Sequence, residues 1–266
     1  MRAVIGDQAR RAYERDGFYL CPGPVWPPNL VARANRGMDA VRDGEYQTGE
    51  PPLPSPWHPG DDPHQLVKIE MPQLANWAVR ELVGDGRIGE WAARITGAKW
   101  VQVWWVQLLQ KPPSTAPGAD ATHVGWHQDR QYWGAWEAGS ELLTAWVALS
   151  EVKADSGPMR LWRGSHRWGL LNQGDFYAQD TAAQQLEMRL PPGATLEEVP
   201  ALLPAGGVSF HHCLTFHASG PNRSGEIRRS FALHLRTENS APADGKRAGL
   251  TRFIDDLERC PVIFGG

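Results

Sequence analysis

The sequence of 266 residues contains few cysteines and no paired cysteine motif. Its three cysteines are Cys21, Cys213 and Cys260, and none of them lies in a Cys-x-x-Cys pair. An odd, widely spaced set excludes a disulfide scaffold and predicts reduced thiols in a reducing compartment.

The sequence also lacks a long apolar run. The longest apolar-rich stretch, residues 101–109, includes two glutamines and is shorter than the roughly 20 residues that a membrane-spanning helix needs. The amino-terminal segment MRAVIGDQARRAYERDG has no apolar signal core. Export and membrane insertion are therefore not expected, and the cytoplasm is the expected location.

An excess of charge of one sign is missing as well. Lys and Arg number 27 against 30 Asp and Glu, so the formal net charge is −3. This near-balance argues against a nucleic-acid partner and against an anionic membrane surface. Apolar residues make up 41% and charged residues 21%, as is usual for a globular protein that buries its own core.

Tryptophan is the abundant residue, with 13 copies. Two interpretations stay open, a tryptophan-rich core and a pocket walled by aromatic rings. In the second, several rings near one motif would face a cavity and suit an apolar substrate: Trp126, Trp133, Trp136, Trp162 and Trp168.

The first hundred residues carry helical patterns. Helices are predicted over residues 7–15, 28–42 and 74–96, the last with a break near Gly84 and Gly86. The proline-rich residues 51–63 between them predict a loop on the surface.

Beyond Trp100 the pattern changes to short, β-branched and aromatic runs. Strands are predicted in WVQVWWVQLLQ and at residues 142–149, 159–162, 208–212, 214–217 and 230–236. Helices first and many strands later favour a mainly β domain, a barrel or jelly roll braced by flanking α-helices.

We predict one domain over residues 1–266. Its parts are a mainly helical segment (1–99), a jelly-roll core (100–240) and a carboxy-terminal extension (241–266). Within the core, residues 169–204 form a long excursion, either a lid at the site or surface decoration.

The segment GWHQDRQYW holds the motif that can carry chemistry. If it is a strand, His127 and Asp129 point to the same side, because side chains alternate along a strand. A histidine and a carboxylate from one strand are two thirds of the facial triad that binds non-haem Fe(II). The third ligand is left open among five histidines: His166, His211, His212, His217 and His234.

Two adjacent arginines, Arg228 and Arg229, begin the last predicted strand. Because neighbours point to opposite faces, one of them can enter the barrel while the other stays in solvent. A guanidinium inside the barrel would need an anion, and a carboxylate suits its two-pronged geometry.

Several segments together resemble the phytanoyl-CoA dioxygenase family of Fe(II)- and 2-oxoglutarate-dependent oxygenases. They run from RDGFYL near the amino terminus through LVKIEM, QLLQKPP, WHQD, AWVAL and GSH to FHHCLTFHASGPNRSGEIRRS. The resemblance covers most of the chain and implies a double-stranded β-helix, the cupin-like form of the jelly roll.

The resemblance also implies roles for particular residues. His127, Asp129 and His217 match the iron ligands, and Arg228 matches the arginine that holds the distal carboxylate of 2-oxoglutarate. Other positions match contacts with this cosubstrate: Gln107, Trp146, Lys68, Ser219 and Ser230.

The implied reaction consumes O2 and 2-oxoglutarate, releases succinate and CO2, and hydroxylates an unactivated C–H bond of a small-molecule substrate. Halogenase relatives replace the metal carboxylate with a small residue, so Asp129 favours hydroxylation. Desaturation, epimerisation and ring formation stay open as outcomes. Two further alternatives are a cupin-like metal isomerase or lyase without 2-oxoglutarate, in which Arg228 has no role, and a non-catalytic binding protein. The sequence does not specify the substrate or the oligomeric state.

Overall fold

A computed structural model of the chain describes residues 2–114 and 122–266, with the side chains of residues 2–6 excepted. The described residues form five α-helices: α1 (Arg2–Asp16), α2 (Pro28–Arg42), α3 (Trp77–Val83), α4 (Gly86–Thr96) and α5 (Thr181–Glu187). They also form eleven β-strands: β1 (Phe18–Leu20), β2 (Val67–Glu70), β3 (Val101–Lys111), β4 (Val124–His127), β5 (Leu142–Ala148), β6 (Met159–Trp162), β7 (Glu198–Pro200), β8 (Val208–His212), β9 (His217–Ser219), β10 (Arg228–Thr237) and β11 (Val262–Phe264).

Two antiparallel sheets face each other. The larger sheet has the order β1-β8-β5-β10-β3-β11, and β2 pairs with the other half of the β3 edge. The smaller sheet has the order β4-β9-β6-β7. This arrangement confirms the predicted mainly β fold with a cupin-like jelly-roll core and flanking helices.

The amino-terminal helices cover the outer face of the larger sheet. Helix α2 begins at Pro28, where the fixed φ of proline suits the first turn, and it buries Ala34 and Met38. The Asn76 side chain accepts a hydrogen bond from the Val79 amide and so caps α3. These helices form one apolar cluster with outward residues of β3, β5, β8 and β10. The sites of chemistry are therefore confined to the inner face.

A one-residue bulge in β3 decides which of its side chains face inward. His234 pairs with Trp105 but Leu235 pairs with Val103, so Trp104 is the extra residue. Beyond the bulge, the parity of β3 is reversed. Leu108 joins the outer apolar cluster, and Gln107, Leu109 and Lys111 therefore point between the sheets. Because of this bulge, the polar end of β3 belongs to the interior.

The structure corrects two predicted elements. The run 214–217 was expected to be a strand ending at His217, but His217 begins β9, because Thr215 closes a turn onto the carbonyl of His212. Asp129 does not lie on the strand of His127; it is the first residue of a 3-10 helix, Asp129–Tyr132. Gln128 between them is extended, so both side chains still point the same way.

The part of the chain before residue 100 is not only helical, since β1 and β2 join the larger sheet. The predicted division into a helical segment, a jelly-roll core and a carboxy-terminal extension stays a prediction. The three cysteines are free and buried, as expected for reduced thiols. Among the described residues, no helix combines the length and the apolar character that crossing a bilayer requires.

Candidate metal centre

His127, Asp129 and His217 meet between the two sheets. One ligand atom from each side chain lies within 4.8 Å of the others, and all three residues are buried. His127 and His217 pair directly across β4 and β9, which places their rings side by side at 4.1 Å. The Nε2 atoms of both histidines lie 3.7 Å from Oδ1 of Asp129. Two imidazoles and one carboxylate thus converge on one point, with the donor set of a facial triad.

Hydrogen bonds to the backbone fix the orientation of both rings. Nδ1 of His127 lies 2.8 Å from the carbonyl of Gly125, and Nδ1 of His217 lies 3.0 Å from the carbonyl of Thr215. A carbonyl can only accept, so each Nδ1 carries the hydrogen and each Nε2 keeps its lone pair. Burial, followed by the fields of His127 and His211, holds the pKa of His217 well below its usual range. Neutral imidazole is the form that binds a metal.

The carboxylate of Asp129 is held through one oxygen only. Its Oδ2 accepts hydrogen bonds from the Thr144 hydroxyl at 2.7 Å and from Nε2 of His211 at 3.2 Å. Burial by itself raises the pKa of this carboxyl, but His217, His127 and His211 overcome it and hold the pKa well below its usual range. The group is therefore ionised, and Oδ1 points at the two neighbouring imidazoles.

Thr144 is itself positioned from the next strand. Nδ1 of His234 lies 2.9 Å from the Thr144 hydroxyl oxygen. Because the single hydroxyl hydrogen goes to Asp129, His234 must be the donor in this second bond. The structure therefore has a chain from His234 through Thr144 to the carboxylate, all of it buried.

A cavity extends from this centre along the inner face of the larger sheet. His127, Asp129 and His217 line one end, and Arg228 and Ser219 line the other. A single molecule can therefore contact the three candidate ligands and the guanidinium at once.

The two adjacent arginines point to opposite faces of β10, as the alternation of side chains along a strand requires. Arg228 is 4% exposed and points into the cavity, over the ring of Trp146 at 5.2 Å. Arg229 points outward and pairs with Asp39 at 2.8 Å. The guanidinium of Arg228 donates to the carbonyl of Gly157, while its Nε finds no hydrogen-bond partner among residues 2–114 and 122–266. Burial lowers the pKa of Arg228 to about 10, so it remains charged at neutral pH.

The other predicted cosubstrate contacts are distributed unevenly. Gln107, Trp146 and Ser219 line the cavity. Ser230 lies on the same inward face of β10, and its buried hydroxyl has no hydrogen-bond partner. Lys68 lines an adjoining cavity instead, 3.4 Å from Glu70 and with its Nζ over the ring of Phe176 at 4.4 Å. The structure therefore does not bring Lys68 to the arginine end.

Most of the tryptophans around the motif belong to the core. Trp126 and Trp162 stack on each other at 4.1 Å in a cluster behind the smaller sheet. Trp136 packs against Trp104. Of the five tryptophans that were candidates for a pocket wall, Trp133 is the one that lines the adjoining cavity. The interpretation of a tryptophan-rich core is thus the main one.

The excursion 169–204 supplies an aromatic wall that the sequence did not indicate. Phe176 contacts the ring of His127 at 5.2 Å and lines both cavities. Its amide donates to the hydroxyl of Tyr132. The side chain of Gln131 also exchanges two hydrogen bonds with the backbone of Gly174, which fixes this segment against the 3-10 helix. The excursion therefore covers the metal centre.

Three further residues of the centre were not singled out for the roles they have here. His211 was one of five open candidates, and it binds the carboxylate rather than joining the convergent set. Thr144 lies in an apolar run and gives no signal, because its position depends on the pairing of β5 with β10. His234 acts through Thr144.

Comparison with known proteins agrees with the geometry. The family model described as "Phytanoyl-CoA dioxygenase (PhyH)" matches residues 13–230. A probable alpha-ketoglutarate-dependent hypophosphite dioxygenase of Stutzerimonas stutzeri is 29% identical over 179 residues, which are 65% of this chain. The match spans 58% of the length of that relative.

Solved structures share the fold. The epimerase SnoN from nogalamycin biosynthesis, in complex with Fe3+, alpha ketoglutarate and nogalamycin RO, superposes with a TM-score of 0.71. It is 23% identical, and the match covers 96% of this chain and 90% of SnoN. The carbocyclase SnoK gives a TM-score of 0.67 at 24% identity, covering 88% of this chain and 85% of SnoK. At these identities the likeness concerns the fold.

Proposed function

The chain belongs to the phytanoyl-CoA dioxygenase family, and on that basis we propose that it is an Fe(II)- and 2-oxoglutarate-dependent dioxygenase that hydroxylates a small molecule. The observation that carries the proposal is one cavity with a His-Asp-His centre at one end and, at the other, a buried arginine that pairs with no carboxylate of the described residues.

The residues present fit an iron ion. His127 and His217 would bind it through Nε2, and Asp129 through Oδ1, since the second atom of each group is already hydrogen-bonded. Three protein ligands on one side leave positions for a chelating cosubstrate and for O2.

The residues also fit a dicarboxylate with a keto group. Arg228 has a buried Nε without a partner, and Ser230 has a buried hydroxyl without one, so this end of the cavity offers donors that nothing in the described chain accepts. A carboxylate accepts from both and compensates the buried charge. Trp146 would pack against the chain of the cosubstrate. In a metal lyase without 2-oxoglutarate, these donors have no purpose.

Iron and 2-oxoglutarate, when bound, supply the oxidising chemistry: O2 is consumed, 2-oxoglutarate becomes succinate and CO2, and oxygen is inserted into a C–H bond. The chain's own task is to orient and to shield. Phe176 and Tyr132 lie beside the ring of His127, with ring centroids 5.2 Å and 6.0 Å away, and form an aromatic edge of the centre. The substrate must then lie against the same aromatic side chains, which suits a molecule with an apolar ring or chain.

Hydroxylation is the proposed outcome because Asp129 fills the position that a halide would take. The epimerase and the carbocyclase that share the fold are both described as non-heme and alpha ketoglutarate dependent, so the product must be measured. The test is to supply Fe(II), 2-oxoglutarate and isotopically labelled O2 with a panel of ring-bearing small molecules. Hydroxylation predicts that labelled oxygen enters the product in step with succinate release. If succinate is released together with an unlabelled isomer or a cyclised product, the reaction is epimerisation or ring formation and not hydroxylation. If no substrate leads to succinate release, the result counts against the oxygenase itself.

A further inference from the structure

The arginine end of the cavity contains a second buried cation. Lys111 is 0% exposed and directly faces Arg228 across the pairing of β3 and β10. The bulge at Trp104 turns Lys111 inward, as described above. Two positive side chains thus lie next to each other between the sheets, at the far end from the metal centre.

Neither cation has a counter-ion within the described part of the chain. Across residues 2–114 and 122–266, no carboxylate forms an ion pair with Lys111 or Arg228. Nζ of Lys111 donates instead to the hydroxyl oxygen of Ser219 at 2.7 Å and to the carbonyl of Gly220 at 2.6 Å. Burial, then the fields of Arg228 and Arg160, holds the pKa of Lys111 well below its usual range. Such an arrangement is costly unless an anion completes it.

The bond from Lys111 determines what Ser219 can do. The hydroxyl oxygen of Ser219 accepts from the ammonium, so its own hydrogen is available to another acceptor. Ser219 lines the cavity beside Arg228, while Lys111 lies behind it. If the proposed function holds, the acceptor at that position would be the distal carboxylate of 2-oxoglutarate.

We propose that Lys111 is a positioning residue for 2-oxoglutarate: it orients Ser219 towards the distal carboxylate and places a second positive charge behind it. The inference depends on the proposed function for the identity of the ligand. It adds a specificity device to that site, a preference for 2-oxo acids that carry a second carboxylate.

A purely structural role has to be separated from this one. Lys111 on β3 and Ser219 on β9 belong to different sheets, so their bond also ties the sheets together. A structural tie would affect thermal stability and the binding of every 2-oxo acid alike. A positioning role would affect only ligands with a distal carboxylate.

The experiment compares two ligands under anaerobic conditions in the full-length, Fe(II)-loaded protein. Binding of 2-oxoglutarate and of 2-oxobutyrate, which keeps the chelating end and lacks the distal carboxylate, is titrated by the visible charge-transfer band. For Lys111→Met we expect an affinity for 2-oxoglutarate that is about tenfold to a hundredfold lower, and an unchanged affinity for 2-oxobutyrate. Arg229→Met removes the outward neighbour of Arg228 and is the matched control, with no change for either ligand.

Ser219→Ala provides a second route, because it deletes one hydroxyl and leaves the buried lysine in place. It should show the same selective loss, and combined with Lys111→Met the two losses should not add. An equal loss for both ligands, or no loss in Ser219→Ala, would overturn the role of Lys111 while leaving the oxygenase assignment intact. A wild-type protein that binds Fe(II) but gives no band with 2-oxoglutarate would overturn both.

Discussion

The hydroxyl of Thr144 donates a 2.7 Å hydrogen bond to Oδ2 of Asp129 and is the shorter of the two bonds, the other from His211, that turn Oδ1 towards the two imidazoles. Without the Thr144 bond, the longer bond from His211 is left to orient the carboxylate. Outer hydrogen bonds of this kind typically account for a factor of 10–100 in metal affinity. The centre is therefore built from the ligands and from the residue that orients one of them.

The first prediction concerns this bond. Thr144→Val keeps the shape of the side chain and removes the donor, so we expect Fe(II) affinity to fall by about tenfold to a hundredfold. Thr144→Ser keeps the hydroxyl and should retain wild-type affinity. Anaerobic metal titration measures both. Equal affinities for the valine and serine variants would show that Thr144 does not orient Asp129.

The second prediction concerns the two arginines. Arg228→Met removes the charge-assisted contact to the cosubstrate carboxylate, which typically costs about 2–5 kcal/mol, so the affinity for 2-oxoglutarate should fall at least tenfold. Arg229→Met should leave it unchanged, since Arg229 pairs with Asp39 outside the barrel. Isothermal calorimetry on the Fe(II)-loaded protein measures both variants. A loss in Arg229→Met that matches the loss in Arg228→Met would contradict the inward assignment of Arg228.

A third prediction concerns Gly174, whose backbone lies close to the backbone of His127. A Cβ added at Gly174 would lie 2.6 Å from Cα of His127, whereas one added at Gly134 would meet nothing within 4 Å. Gly174→Ala should therefore displace the excursion from the metal centre, lower the unfolding free energy by about 1–3 kcal/mol and weaken Fe(II) binding. Gly134→Ala is the matched control and should change neither. If Gly174→Ala binds iron as the wild type does, the excursion does not support the centre.

The fourth prediction concerns acid stability and lies outside the metal centre. Burial, then the fields of His166 and His211, lowers the pKa of His212 from its ordinary 6.5 to about 4. The amide of Leu214 donates to Nδ1 of His212, so protonation would also remove an acceptor. Above pH 6.5 the ring is neutral in the folded and unfolded states. Below it the unfolded chain binds the proton first, so stability falls between pH 6.5 and 4.

His212→Asn offers an acceptor in the same place and does not titrate in this range. We expect the variant to lose about 3 kcal/mol less unfolding free energy than the wild type when the pH falls from above 6.5 to near 4. Urea denaturation at the two pH values measures the difference. The same pH dependence in both proteins would assign the acid sensitivity to other groups.

Sequence patterns predicted the features that depend only on residues close together in the chain. The predicted helix over 28–42 coincides with α2, because proline at its start and a regular apolar face act within the segment itself. Alternation also predicted that Arg228 and Arg229 separate between interior and solvent, as they do.

Features that arise from pairing between distant strands could not be predicted. The bulge at Trp104 comes from the register of β3 against β10, and it alone turns Lys111 inward. Thr144 reaches Asp129 only because β5 lies between β8 and β10. Phe176 meets His127 across a separation of 49 residues in a segment without periodic pattern. In each case the sequence shows the residue but not its partner.

The central claim is that one cavity holds Fe(II) and chelated 2-oxoglutarate on His127, Asp129 and His217. It is tested most directly by adding both to the metal-free protein under anaerobic conditions and recording the visible spectrum. The account predicts a weak charge-transfer band in the wild type and none in His217→Ala. An unchanged band in His217→Ala, or no band in a wild type that has bound Fe(II), would contradict it.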